Sequence, residues 1–138
     1  MAEQINALVV HAYDETFHEL LQVLGTLGIK VVHARNCREA SLLFKKDVGV
    51  DLVFAGTGFQ DGGWADVLQL AQRLKSYLPV IVISQIVDVR LYLEVLGSGA
   101  FDYVTPPFLA SDMAHLVRSA IYKGLVSEKQ DLTAPPVA

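Results

Sequence analysis

The sequence predicts a doubly wound α/β domain, a parallel sheet covered by helices on both faces. Three observations predict it. Five short apolar runs rich in β-branched residues recur along the chain, as fits strands buried on both faces. Helical patterns with three- and four-residue apolar spacing lie between them. The alternation is strict, which implies parallel pairing through right-handed crossovers.

The strands are expected at Ala7 to Val10, Lys30 to His33, Leu52 to Ala55, Val80 to Ile83 and Asp102 to Val104. The first helix, Asp14 to Leu27, puts Phe17, Leu20, Leu21, Leu24 and Leu27 on one stripe, and Gly28 ends it as a left-handed residue can. Arg38 to Lys45 forms a shorter helix with Asn36 as its N-cap. Trp64 to Lys75 carries Val67, Leu68, Ala71 and Leu74 inward. Val87 to Leu96 is the fourth helix and stops at Gly97; Val89, Leu93 and Leu96, with Tyr92 at the margin, are expected to face the sheet. Ser111 to Leu125 closes the domain with Met113, Leu116, Val117, Ala120 and Ile121 buried. From Ser127 the composition turns polar, and Ala134-Pro135-Pro136 cannot continue a helix. The expected division is a domain over residues 1–126 and a proline-containing tail or linker over 127–138.

Composition narrows the function. A chain of 138 residues suits one domain that needs no staples. Hydrophobic residues make up 52% and charged residues 19%, which fits a sheet buried on both faces. A net charge of −4 gives no basic footprint, so direct nucleic-acid binding is not expected. Cys37 is the single cysteine, which excludes an intramolecular disulfide and suits a reducing cytoplasm. It is read as a packed thiol rather than a reactive one. The N-terminus lacks the basic start and longer apolar stretch of a signal peptide. No run reaches the roughly 20 apolar residues of a membrane span. A soluble cytoplasmic protein that makes no membrane contact is expected.

Ligand sites in open parallel sheets lie beyond the carboxyl ends of the strands. There the chain carries His11-Ala12 after strand one, Gly56 after strand three, Ser84 after strand four and Thr105-Pro106-Pro107-Phe108 after strand five. Asp51-Leu52-Val53-Phe54-Ala55-Gly56, Val80-Ile81-Val82-Ile83-Ser84 and Gly97-Ser98-Gly99-Ala100-Phe101-Asp102-Tyr103-Val104-Thr105-Pro106-Pro107-Phe108 together resemble the landmarks of the receiver domain of bacterial two-component response regulators. The resemblance covers about Asn6 to Lys123. It implies the flavodoxin-like (CheY-like) fold with strand order 2-1-3-4-5, helices 1 and 5 on one face and helices 2, 3 and 4 on the other. It also implies a cis peptide bond at Pro106-Pro107.

The departures from the family are as informative. The family needs an acidic pair after strand one to hold Mg²⁺; this chain has His11 and Ala12. Gly56 stands where the family has its phosphoacceptor aspartate, and Pro106 where it has the lysine that meets the phosphoryl group. Ser84 and the switch aromatic Tyr103 remain. A hard divalent cation wants carboxylate oxygens, and glycine has no nucleophile. The resemblance thus implies a degenerate receiver, with His11, Ala12, Gly56, Ser84 and Pro106 at a phosphorylation site that has lost its chemistry. No cofactor, metal or catalytic residue is expected.

Other readings are weaker. Asp14 or Asp61 as a displaced phosphoacceptor competes with helix capping and turn chemistry. Glu15 is likewise read as a favourable helix-start charge. The glycine-rich Gly56-Thr57-Gly58 and Gly62-Gly63 loop lacks a Gly-Lys-Ser/Thr ending, though a neutral pocket of His11, Gly56 and Ser84 would suit a small-ligand sensor. Among His11, His18, His33 and His115 no close pair has metal-ligand spacing. Ser84 with His11 as base is not supported by any visible oxyanion device. The expected function is protein–protein interaction in signal transduction, independent of phosphorylation. By resemblance, the partner or a second copy meets helix 4, strand 5 and helix 5. Leu91 and Val95, projecting away from the expected buried side, are the predicted centre of that contact, with Arg118 and Tyr122 contributing.

Overall fold

The computed structural model describes residues 4–46 and 48–133, with side chains through residue 129. Its strands are β1 (Asn6–Val10), β2 (Lys30–Ala34), β3 (Leu52–Gly56), β4 (Gly58–Phe59), β5 (Gly62–Gly63), β6 (Val80–Ile83) and β7 (Asp102–Val104). Its helices are α1 (Glu15–Thr26), α2 (Cys37–Lys46), α3 (Trp64–Leu74), α4 (Val89–Gly97) and α5 (Ala110–Thr133). The main sheet is parallel, in the order β2-β1-β3-β6-β7. This is the expected doubly wound order.

Period-two alternation divides the core. In β1, Leu8 and Val10 face α2, α3 and α4, beside Phe44, Trp64, Val67 and Val95. Ala7 and Val9 face α1 and α5, beside Phe17, Leu20, Met113 and Val117. Strands β1, β3 and β6 are almost wholly buried, so the apolar content of the chain is spent on both faces of one sheet. Each fully buried large aliphatic or aromatic side chain contributes about 1.5–3 kcal/mol against exposure.

The caps follow the sequence. Asp14 caps α1 by accepting from Phe17 N at 2.8 Å, and Asn36 caps α2 by accepting from Glu39 N at 2.9 Å. Gly28 takes φ +73°, the left-handed conformation that its place after α1 requires.

Four expectations need correction. The third loop holds a small antiparallel hairpin, β4–β5, with Gly58 opposite Gly63. Leu74 is exposed at the end of α3 rather than inward. Helix α5 runs to Thr133, past the expected stop at Leu125. The added stretch is polar, but Glu, Lys and Gln are good helix formers, so a change of composition is not a stop signal. Ala134-Pro135-Pro136 lies outside the described residues. The fourth correction is the largest. Helix α4 is rotated from the expected register: Val95 is wholly buried and Leu91 packs against the same core, while Val89 and Leu93 are 67% and 63% exposed.

Candidate functional site

The carboxyl ends of β1, β3 and β6 converge on a cavity of about 390 Å³. Its walls come from His11, Ala12 and Asp14 after β1, Gly56 to Phe59 after β3, Ser84 to Ile86 after β6, and Leu91 of α4. The sequence-predicted residues His11, Ala12, Gly56 and Ser84 are therefore brought together. Pro106 and Tyr103 are not in that lining.

His11 is the central side chain. Its backbone N–H donates to Ala34 O at 2.9 Å, which continues the pairing of β1 with β2. Its ring lies against Gly56: a Cβ at that glycine would come within 2.9 Å of His11 Cδ2. The two residues are matched in size, for no other residue type leaves that space to the imidazole. His11 Nδ1 lies 3.0 Å from Ala12 O and 3.5 Å from Asp14 Oδ1. A carbonyl oxygen only accepts, so Nδ1 carries the proton and, in the neutral ring, Nε2 holds the free lone pair.

His33 does not join it as a ligand. Its Nε2 donates to His11 O at 2.8 Å, while its ring stacks on Phe17 at 4.1 Å and meets Tyr13 edge-on at 4.6 Å. His18 packs edge-on against Phe17, and His115 lies on α5 away from this cavity.

The carboxylates near the loops serve the backbone. Asp14 carries the only formal charge among the residues lining the cavity. Asp61 accepts from Cys37 N at 3.0 Å and Arg38 N at 2.9 Å, capping α2 from the third loop. Those two backbone donors, Cys37 first, hold the Asp61 carboxyl below its usual range. Asp66 likewise accepts from Gly63 N at 2.9 Å. The Cys37 thiol beside them is pushed up to about 11, first by burial and then by the charges of Asp61 and Asp66. It has none of the electropositive surroundings of a reactive thiol.

The donor set does not fit a hard divalent cation such as Mg²⁺. His11, Ala12 and Gly56 supply no carboxylate, and among the described residues no group of three or more His, Cys, Asp or Glu side chains is arranged to hold a metal ion.

On the β6 side of the cavity and behind it the hydroxyls are engaged. Ser84 Oγ donates to Ile86 O at 3.0 Å and accepts from Ile86 N at 3.3 Å. Tyr103 is buried, and its hydroxyl donates to the same Ile86 O at 2.7 Å. One carbonyl thus ties the end of β6 to β7. Tyr92 of α4 meets the Tyr103 ring edge-on at 5.9 Å, and Asp88 caps α4 by accepting from Leu91 N at 3.1 Å. Pro106-Pro107 is cis, as expected. Sequence reasoning missed Ile86, because a backbone carbonyl leaves no signature in residue type.

The predicted contact surface must be redrawn. Val95 cannot meet a partner, being wholly buried, and Leu91 lines the cavity and the core instead of projecting. Arg118 and Tyr122 of α5 are exposed as expected. The apolar residues that do project are Val87, Val89 and Leu93, at 81%, 67% and 63% exposure. Between β7 and α5 lies a groove of about 530 Å³ with Phe108, Met113 and Leu116 in its walls and Asp102, Asp112 and His115 among its polar residues.

No family model matches the chain. It is 30% identical over 109 residues to the response regulator protein PilR of Pseudomonas aeruginosa, a match covering 78% of this chain and 24% of that protein. The chain therefore spans about a quarter of that relative's length. Its fold is similar to the crystal structure of a putative response regulator from Chloroflexus aurantiacus, with a TM-score of 0.79 at 20% identity over 87% of this chain and 99% of that one. It is also similar to a chain of the CheX-CheY-BeF3-Mg+2 complex of Borrelia burgdorferi, with a TM-score of 0.72 at 21% identity over 83% and 87% of the two chains. No described helix is long and apolar enough to cross a membrane.

Proposed function

We propose that this chain, a receiver domain of the CheY-like response-regulator family, signals by protein–protein interaction without aspartyl phosphorylation. The observation that carries the proposal is the His11 ring lying against Gly56. The imidazole fills space that an acceptor side chain on β3 would need. The nearest charged group, Asp14, is the cap of α1, and Asp61 is the cap of α2. Neither offers the paired oxygens and open metal position that phosphoryl transfer to a carboxylate requires.

The partner face is proposed at α4, β7 and α5, with a protein partner or a second copy as occupant. Support comes from the exposed Val87, Val89 and Leu93, the exposed Tyr122 and Arg118, and the groove beside β7. Aromatic and arginine side chains are the residue types that anchor interfaces. The CheY-like chain from Borrelia burgdorferi is itself found in a complex with CheX. The Ser84–Ile86–Tyr103 tie holds β7 to β6 beside this face.

The test is intact-mass measurement after incubation with acetyl phosphate and Mg²⁺. No added phosphoryl group is the expected result, and a base-labile gain of one phosphoryl group overturns the proposal.

A further inference from the structure

The cavity at the strand ends is lined by a histidine whose outer ring nitrogen faces it. The side chain of His11 is 9% exposed, and its Nδ1 proton is committed to Ala12 O and Asp14 Oδ1. In the neutral ring that leaves Nε2 as an acceptor. Among the described residues no fully buried side-chain nitrogen or oxygen lacks a partner, so Nε2 opens onto the cavity it lines. Around it the lining includes Asp14 as its one charged residue and the polar residues Thr57 and Gln85, with Phe59, Ile86 and Leu91 as apolar wall. Ser84 is already satisfied by Ile86.

The geometry points to a binding site for a small organic cation, a guanidinium or alkylammonium head that donates N–H bonds to His11 Nε2 and Asp14. Electrostatics select the sign. The N-terminus of α1 faces this region with roughly half a positive charge, but the Asp14 carboxylate that caps it carries a full negative one. No lysine or arginine lines the cavity. An anion such as phosphate would meet a carboxylate and a lone pair, and would bring no donor for Nε2 in its dianionic form. A cation with several N–H groups meets the His11 and Asp14 acceptors, and a short alkyl stem suits the Phe59, Ile86 and Leu91 wall. The cavity falls in the size range of small-molecule sites.

The site rests on the cavity being free of a phosphoryl group and its metal. A chain that takes up phosphate fails the proposed function; a chain that takes up neither phosphate nor cation fails only this inference. The experiment titrates the full chain with n-butylguanidinium and n-butylammonium chloride, and separately with butyrate and inorganic phosphate, following the backbone amides of Gly56, Thr57 and Gly58 and the imidazole nitrogens of His11 by NMR. The expected result is saturable binding of at least one cation at millimolar concentration or below, with shifts centred on those groups and none from the two anions. Asp14→Asn keeps an N-capping side chain while removing the charge, and should weaken the cation by about tenfold or more. His11→Phe keeps a ring on Gly56 and removes the acceptor, and should abolish binding. Absence of saturation, shifts centred elsewhere, equal binding of an anion, or unchanged affinity in a folded Asp14→Asn variant overturns the site.

Discussion

The two halves of the strand-end region have been treated very differently. At β1 and β3, His11, Ala12 and Gly56 supply no carboxylate, and an imidazole fills the space beside Gly56. At β6 and β7, Ser84, Tyr103 and the cis Pro106-Pro107 bond keep the family's residues or geometry, and two hydroxyls converge on Ile86 O. Under the proposed function the β1–β3 end is a receiving half and the β6–β7 end a presenting half, and the two are physically separable. The first depends on charge, which a few substitutions remove. The second depends on packing and backbone hydrogen bonds, which those substitutions do not touch.

The strongest way to break the comparison is at α4, which belongs to the presenting half. Val95→Glu puts a carboxylate into a fully buried site with no partner, and should cost more than about 3 kcal/mol or unfold the chain. Leu93→Glu, two residues earlier on the exposed side, should change stability by no more than about 0.5 kcal/mol. On the proposed partner face, Leu93→Glu should also weaken self-association or partner binding in sedimentation or titration. A folded, stable Val95→Glu chain would mean that α4 sits in the register first expected from its sequence.

Why the sequence misread that register is instructive. Helix α4 has two apolar arcs, one of Val89, Tyr92, Leu93 and Leu96 and one of Leu91 and Val95. Counting favours the larger arc. Packing favours the smaller, because Val95 closes on the core around Ala100 and Tyr103 while Asp88 and Tyr92 orient the helix start. Where apolar residues lie on both sides, periodicity identifies a helix without saying which side is buried. The buried faces of three other helices were legible because their stripes were one-sided: Phe17, Leu20 and Leu24 in α1, Val67, Leu68 and Ala71 in α3, and Met113, Val117 and Ala120 in α5 are buried as expected. At the site, His11, Gly56 and Ser84 were legible by position after their strands. Their mutual contact was not, since a glycine's value to a neighbouring ring exists only in three dimensions.

The receiving half is tested by introducing an acid on β3. Gly56→Asp places a Cβ within 2.9 Å of His11 Cδ2, so the ring or β3 must shift. Overpacking of this kind costs about 1–3 kcal/mol. Combined with His11→Ala, the same substitution should recover most of that loss in thermal or urea unfolding. An equal loss in the single and double variants would show that the two positions are not sterically coupled.

A smaller effect sharpens the presenting half. Tyr103→Phe deletes the hydroxyl bond to Ile86 O and should cost about 1 kcal/mol, with Ser84→Ala of similar size. Because both hydroxyls share one carbonyl, the double variant should depart from additivity. Additive losses would mean the two ties act separately, and β6 and β7 are then not held through a common point.

The finest test concerns whether any nucleophile survives beside the receiving half, where Cys37 is the only thiol. It is buried at the start of α2, under the carboxylates of Asp61 and Asp66. Burial and those charges disfavour the thiolate and raise it from its usual 9.0 to about 11. The sign of the linkage follows. The unfolded chain ionises this thiol first, so the stabilisation is fully present below pH 9.0 and is lost as pH rises toward about 11. Unfolding of the parent chain should therefore show an added loss of stability across that window that Cys37→Ala lacks, the tyrosines and lysines being common to both. At neutral pH the folded chain should alkylate with iodoacetamide far more slowly than the chain in denaturant. Rapid labelling of the folded protein, or identical alkaline profiles for the two chains, would place an accessible thiolate next to the third loop and give the receiving half a nucleophile after all.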